Sequence, residues 1–265
     1  MPRADRGLGD VGRDIAIALA FLTRVPAVRL GLDPAAATDL RRAVRVFPLA
    51  GALIGAVGGL VLLLGNALGL PPLASALIAI GTIAVGTGAL HEDGLADTAD
   101  GFGGGRTLTA RLAIMRDSRI GSYGALALIF SVVLKASLLA AFLPLAPWAA
   151  VFALVAAETI GRASIVYHWA DQPPARPDGL AGSIGQPDEE TRWMTLVYAL
   201  AIGLVAGTVA AGPIAALVAL AAAALATIGF GQASRRLIGG HTGDTLGAVE
   251  QIAVLATLIA LVAFA

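Results

Sequence analysis

The chain has 265 residues, 57% of them hydrophobic and 14% charged, with 18 basic against 18 acidic side chains and a mean hydropathy of +0.83. A soluble domain carries about 25% charged residues, so this composition excludes an ordinary water-soluble globule, and a net charge of zero argues against a nucleic-acid partner. The absence of cysteine excludes disulfides and thiolate metal sites.

The first apolar run, Ile15 to Leu22, lies between Arg13-Asp14 and Arg24-Val25-Pro26. It is too short for a spanning helix, which needs about 20 apolar residues, and it lacks the longer core and cleavage site of a secretory signal. A short amphipathic or re-entrant helix at the interface is expected. Beyond it, seven stretches are long and apolar enough to cross a bilayer, over 46–65, 73–90, 123–142, 147–167, 194–211, 213–230 and 246–265. The expected fold class is therefore all-α: one polytopic membrane bundle over 1–265, with about seven transmembrane helices and a short N-terminal interfacial helix.

The connections after the first, third and fifth spans carry no charged residue. The other connections, 91–121, 168–193 and 231–245, and the N-terminal 45 residues, carry every Lys and Arg except Lys135 and Arg162. The positive-inside rule makes that face cytoplasmic. Three ionisable residues stand inside spans: Lys135, Glu158 and Arg162. Glu158 and Arg162 are four apart and share a helix face. Charges at that depth face the bundle interior and pair with one another, which makes them a packing cluster or the floor of a polar cavity.

The segment just beyond the second span runs His91-Glu92-Asp93-Gly94-Leu95-Ala96-Asp97-Thr98-Ala99-Asp100-Gly101 and packs four carboxylates into nine residues. On a helix, Asp93, Asp97 and Asp100 fall within about 60° of one face. Carboxylates so close repel unless a hard cation neutralises them, and magnesium takes oxygen ligands while bridging carboxylates to substrate phosphates. The plain alternative is a solvated acidic turn. Glu92 points about 100° from Asp93, as a supporting or proton-accepting residue. Gly94, Gly101 and Gly103 to Gly105 are expected to interrupt the helix and let backbone approach a ligand.

Arg106, Arg111, Arg116 and Arg119 follow, the last two enclosing Asp117 and Ser118. Arginine grips phosphate oxygens in bidentate fashion, and a metal cluster beside an arginine cluster suits transfer of a phosphoryl-type group. The plain alternative is the arginine content of any cytoplasmic loop. A third element, Gly239-Gly240-His241-Thr242-Gly243-Asp244, opens the last span. Its amides suit an anion, and Asp244 either completes the metal site or caps the helix. The catalytic segments are thus placed at approximately 91–121 and 231–245.

Phe21-Leu-Thr-Arg24-Val-Pro26, Phe47-Pro48-Leu-Ala-Gly51, the acidic run from His91 to Gly101, Arg116-Asp-Ser-Arg119-Ile-Gly121 and Gly240-His-Thr-Gly-Asp244 occur in this order. The set, from about residue 14 to the last span, resembles the adenosylcobinamide-GDP ribazoletransferases, the cobalamin synthases of vitamin B12 assembly. The resemblance implies a bacterial inner-membrane enzyme whose acceptor is α-ribazole or its 5′-phosphate. A hydroxyl of the acceptor would attack the cobinamide-bound phosphorus of adenosylcobinamide-GDP, with GMP leaving. It also implies Mg²⁺ on Asp93, Asp97 and Asp100. Arg116 and Arg119 would face the leaving GMP, and Asp117, Glu92 or His91 would act as proton acceptor. Arg24, His91, Arg111, Ser118, Gly243 and Asp244 are the expected substrate contacts. For Arg24 and the Arg41, Arg42 and Arg45 group, membrane lipid is as good a partner as substrate phosphate.

Two rivals remain at this stage. A CDP-alcohol phospholipid phosphotransferase would share Asp97-Thr-Ala-Asp100-Gly101, but its following Ala-Arg is replaced by Gly104-Gly105. A cation-coupled transporter would place carboxylates near the midplane in related halves of the chain, and no such halves occur here.

Overall fold

The computed structural model describes residues 8–33, 40–176 and 184–265. The expectation of an all-helical membrane bundle holds. Among the described residues the only extended pairing is an isolated parallel bridge between Pro174 and His241. Eleven α-helices follow in chain order: α1 Leu8–Leu22, α2 Leu40–Ala43, α3 Phe47–Ala67, α4 Pro72–Thr87, α5 Leu90–Gly104, α6 Leu108–Ile114, α7 Ser122–Phe142, α8 Pro147–Asp171, α9 Glu189–Ala211, α10 Pro213–Ile238 and α11 Gly243–Val262. The stretch Leu40–Ala67, comprising α2, a 3₁₀ turn and α3, and the helices α7, α8, α9, α10 and α11 are each long and apolar enough to cross a membrane. A seventh candidate span is the bent pair of α4 and α5, which meet at an angle of 91°. Gly88 and Ala89 both adopt left-handed backbone there. With four carboxylates, α5 is unsuited to hydrocarbon, which leaves α4 as the apolar arm of that pair.

Helix α8 is the axis, with 83% of its apolar stretch buried, against 28% for α7. Helix α3 reaches it through glycines: a Cβ at Gly51 would lie 2.3 Å from the Glu158 carbonyl oxygen, and one at Gly55 2.8 Å from that of Leu154. This is the small-residue approach typical of membrane helices, where dispersion rather than water exclusion drives association. Leu53, Val57, Leu60 and Leu64 on the far side of α3 are exposed, as a lipid-facing stripe is.

The N-terminal helix begins at Leu8, earlier than the apolar run indicated. It is pinned by Asp14, whose Oδ2 accepts from Arg45 Nη2 at 2.5 Å and lies 3.4 Å from Arg42 Nε. Arg45 is thus an internal partner of Asp14 rather than a contact for lipid or substrate.

Lys135, Glu158 and Arg162 face inward as expected, and Glu158 pairs with Arg162. Lys135 instead turns to Glu92, 3.8 Å away, and the interior holds a further ionisable residue that was not singled out, Glu250 on α11. Arg162 is ion-paired to both Glu158 and Glu250. Gln251 Oε1 accepts from Lys135 Nζ at 2.7 Å and from Ser131 Oγ at 3.1 Å, and Gln251 Nε2 donates to Glu92 Oε1 at 3.1 Å. Glu250 sits in an apolar run at 246–265, and its charge there was the available signal.

Candidate active site at one end of the bundle

The acidic run is helical throughout, and its glycines do not interrupt it. They let two helices touch. A Cβ on Gly94 would come within 2.6 Å of the Asp244 carbonyl oxygen and 3.1 Å of Gly247 Cα; one on Gly247 would come within 3.1 Å of His91 Cα. Glycine facing glycine brings α5 against α11, and this sets Asp244 beside the face that carries Asp93 and Asp97. Gly101 makes the same allowance for the Met115 side chain.

Asp93 is exposed and Asp97 half-buried. Burial, and then the charges of Asp93, Asp244 and Asp100, hold the Asp97 carboxyl up to about 6, against a smaller opposing pull from Arg176. Arg176 was not expected here. Its Nη1 stands 4.0 Å from Asp244 Oδ2, and its Nη2 donates to the Leu112 carbonyl at 2.7 Å. It arrives by the short bridge at Pro174, where Ala175 N donates to His241 O at 2.8 Å and His241 N to Pro173 O at 2.9 Å. In sequence, Gln-Pro-Pro-Ala-Arg-Pro reads as a linker, which hid it.

Asp100 has a different local task. Its two oxygens accept from the backbone amides of Gly121 at 2.7 Å and Gly124 at 2.9 Å, so a residue of α5 caps α7. Glu92 faces away from Asp93, as its helical position requires, and its carboxylate points into the interior network. Asp244 is not the helix cap: Thr242 is, accepting from Thr245 N while Thr245 Oγ1 accepts from Thr242 N. The Asp244 carboxylate therefore stays at the acidic face, with Gly243 exposed beside it.

The arginine segment is more open than the acidic one. Arg119 grips Asp117 in bidentate fashion, Nη2 to Oδ2 at 2.6 Å and Nε to Oδ1 at 3.0 Å. Those bonds hold the Asp117 carboxyl down to about 2, which makes it a weak base. Burial, aided by the Arg162 charge, pushes His91 down to about 3, a second weak base. Arg116 and Ser118 are exposed. Arg111 Nη1 donates to the Leu237 carbonyl at 3.1 Å, closing the end of α10. Arg24 lies across Gly88, and its amide donates to Gly86 O at 2.7 Å.

No three carboxylate or imidazole groups among the described residues converge on one point to make a ready ion site. The donor set nevertheless suits magnesium, which binds through one or two carboxylates, waters and substrate phosphates rather than an all-protein cage. Asp93, Asp97 and Asp244 are oxygen donors, and the raised Asp97 carboxyl marks negative charge short of a counter-ion.

Fold and site together define a polytopic membrane protein that gathers carboxylates from two helices and arginines from the adjoining loops at one end of the bundle. The chain belongs to the cobalamin-5-phosphate synthase family, whose model matches residues 14–262. Similar proteins named adenosylcobinamide-GDP ribazoletransferase include one from Azorhizobium caulinodans, 45% identical over 99% of this chain and 98% of its own length. Those from Rhizobium etli, 48% identical over 95% and 97%, and Brucella ovis, 47% identical over 94% and 96%, bear the same name. No solved structure matches.

Proposed function

We propose that the protein transfers the adenosylcobinamide-phosphate group from adenosylcobinamide-GDP to α-ribazole or its 5′-phosphate, releasing GMP and completing a cobalamin. The observation that carries this beyond family membership is the meeting of Asp93 and Asp97 on α5 with Asp244 on α11 and Arg176 beside them, a pairing of carboxylate and guanidinium suited to a diphosphate. In the reaction, a ribose hydroxyl oxygen that is free in both acceptor forms bonds to the cobinamide-bound phosphorus. The bridging P–O bond breaks, GMP departs with the bridging oxygen, and the hydroxyl proton passes to a carboxylate. With Asp117 and His91 weak bases and Glu92 turned inward, the Asp93–Asp97–Asp244 face is the better proton acceptor.

One or two of Asp93, Asp97 and Asp244, together with the substrate's phosphates, would hold Mg²⁺, which when bound supplies charge neutralisation at the diphosphate. Arg176 orients the anionic substrate, and Arg116 and Arg119 offer charge to GMP from the exposed segment. The relatives' bacterial sources favour an inner membrane, and the arginine distribution favours this face as the cytoplasmic one.

The test is turnover in purified membranes supplied with adenosylcobinamide-GDP and α-ribazole, following GMP and cobalamin with Mg²⁺ or with EDTA. Equimolar, Mg²⁺-dependent appearance of both products is expected. Product formation undiminished by EDTA would remove the metal from the reading, and no product from folded, inserted protein would remove the reaction.

A further inference from the structure

Beside the acidic face, a cavity of ≈190 Å³ runs into the bundle between α1, α3, α5, α8 and α11. Its mouth carries Asp93 and Asp244; its buried wall is mostly apolar and aromatic, with Phe21, Phe47 and Trp169, and includes the imidazole of His91. The Phe21 and Phe47 rings stack, with centroids 6.0 Å apart and planes 16° from parallel. Trp169 is 2% exposed, and its indole N–H has no hydrogen-bond partner. A buried donor left unmade is costly, and of the eleven buried side-chain polar atoms without a partner among the described residues, the Trp169 N–H is the one that belongs to the wall of this cavity.

Drug-sized ligands need cavities of about 300 Å³ or more, so this one is too small for a nucleotide or a corrinoid. It suits a flat two-ring fragment with one hydrogen-bond acceptor. Its mouth sets further requirements. Whatever enters must be uncharged inside, and must continue outward as a polar group that reaches the carboxylates.

We propose that this cavity binds the heteroaromatic base of the acceptor, a benzimidazole in a ribazole, with the Trp169 N–H donating to the imine nitrogen that the sugar leaves free. The inference rests on the ribazole-transfer reading above. The base stacks among the aromatic walls and the ribose emerges past Asp93 and Asp244. This holds the attacking ribose hydroxyl at the carboxylates that take its proton. Specificity then follows from the placed Trp169 donor and from shape: a purine carries additional polar edges into a mostly apolar slot, where each unpaired group is penalised.

The experiment is steady-state kinetics on the detergent-purified full chain. Trp169→Phe keeps a ring and removes the donor. It is expected to raise the KM for α-ribazole by about fivefold to tenfold, the worth of one hydrogen bond, and to leave the KM for adenosylcobinamide-GDP unchanged. An acceptor analogue with the imine nitrogen replaced by CH should be used as poorly by the wild type as α-ribazole is by the variant, and the variant should not distinguish the two. Should Trp169→Phe fail to fold, Leu246→Phe, which narrows the same cavity, carries the test through the same KM split. A rise in the KM for adenosylcobinamide-GDP instead, or a wild type indifferent to the imine nitrogen, overturns the proposal. A wild type that forms no product from either acceptor overturns the parent reading and is distinguishable from both.

Discussion

Asp97 stands where burial and three neighbouring carboxylates act in the same direction, and its proton is held up to about 6. Between the ordinary carboxyl value of 3.8 and about 6, the folded protein keeps a proton that the unfolded chain has released. The associated stability is full in acid and is lost as pH rises through about 6. Cation binding displaces the same proton, so Mg²⁺ and H⁺ compete. The rate at subsaturating Mg²⁺ should rise with an apparent pKa near 6, and raising Mg²⁺ should move that midpoint to lower pH; a midpoint indifferent to Mg²⁺ would refute the coupling. Asp97→Asn should abolish turnover while leaving the protein inserted, as judged by protease protection of its loops. The acidic residues were legible because four carboxylates stand out in a chain this poor in charge. Their division of labour was not: that Asp100 caps α7 depends on where Gly121 arrives, and no spacing within 91–101 encodes that.

At the scale of elements, the site depends on how closely α5 and α11 approach. Gly94→Ala would push a methyl into the Asp244 carbonyl, and backbone cannot yield as a side chain can. We expect a loss of turnover of about 10²-fold from misplacing the carboxylates by an ångström or so, in protein whose thermal unfolding stays cooperative. Asp100→Ala removes the acceptor of two amides at the start of α7. It should cost about 1–2 kcal/mol, in the range of lost helix caps, read as a lowered Tm in detergent. The spans were legible from hydropathy alone. The bend was not, because Gly88-Ala89 looks like any small-residue run, and the second span reads as continuous to residue 90. Arg176 escaped for the opposite reason: it lies in a proline-rich connection, and a single parallel bridge to the loop before α11 decides its position.

For the whole molecule, the interior network fastens the working end to the bundle. Glu92 is the tie, since it leaves the acidic helix to join Lys135 at 3.8 Å and Gln251. Arg162→Met would leave Glu158 and Glu250 buried without their shared cation, and breaking a buried pair in this way costs about 3–5 kcal/mol. Accumulation and Tm should both fall sharply, and a stable, fully active variant would contradict the assignment. The contact between Glu92 and Gln251 joins positions 159 apart in the chain, and this orders events during synthesis. While the ribosome is between them, Lys135 can reach Glu92 and Glu158 can reach Arg162, but the residues that link the two pairs have not been made. The acidic helix therefore waits beside a partly assembled bundle until the final helix enters. A nascent chain released before that moment is expected in the membrane, silent toward its substrates and open to quality-control proteases.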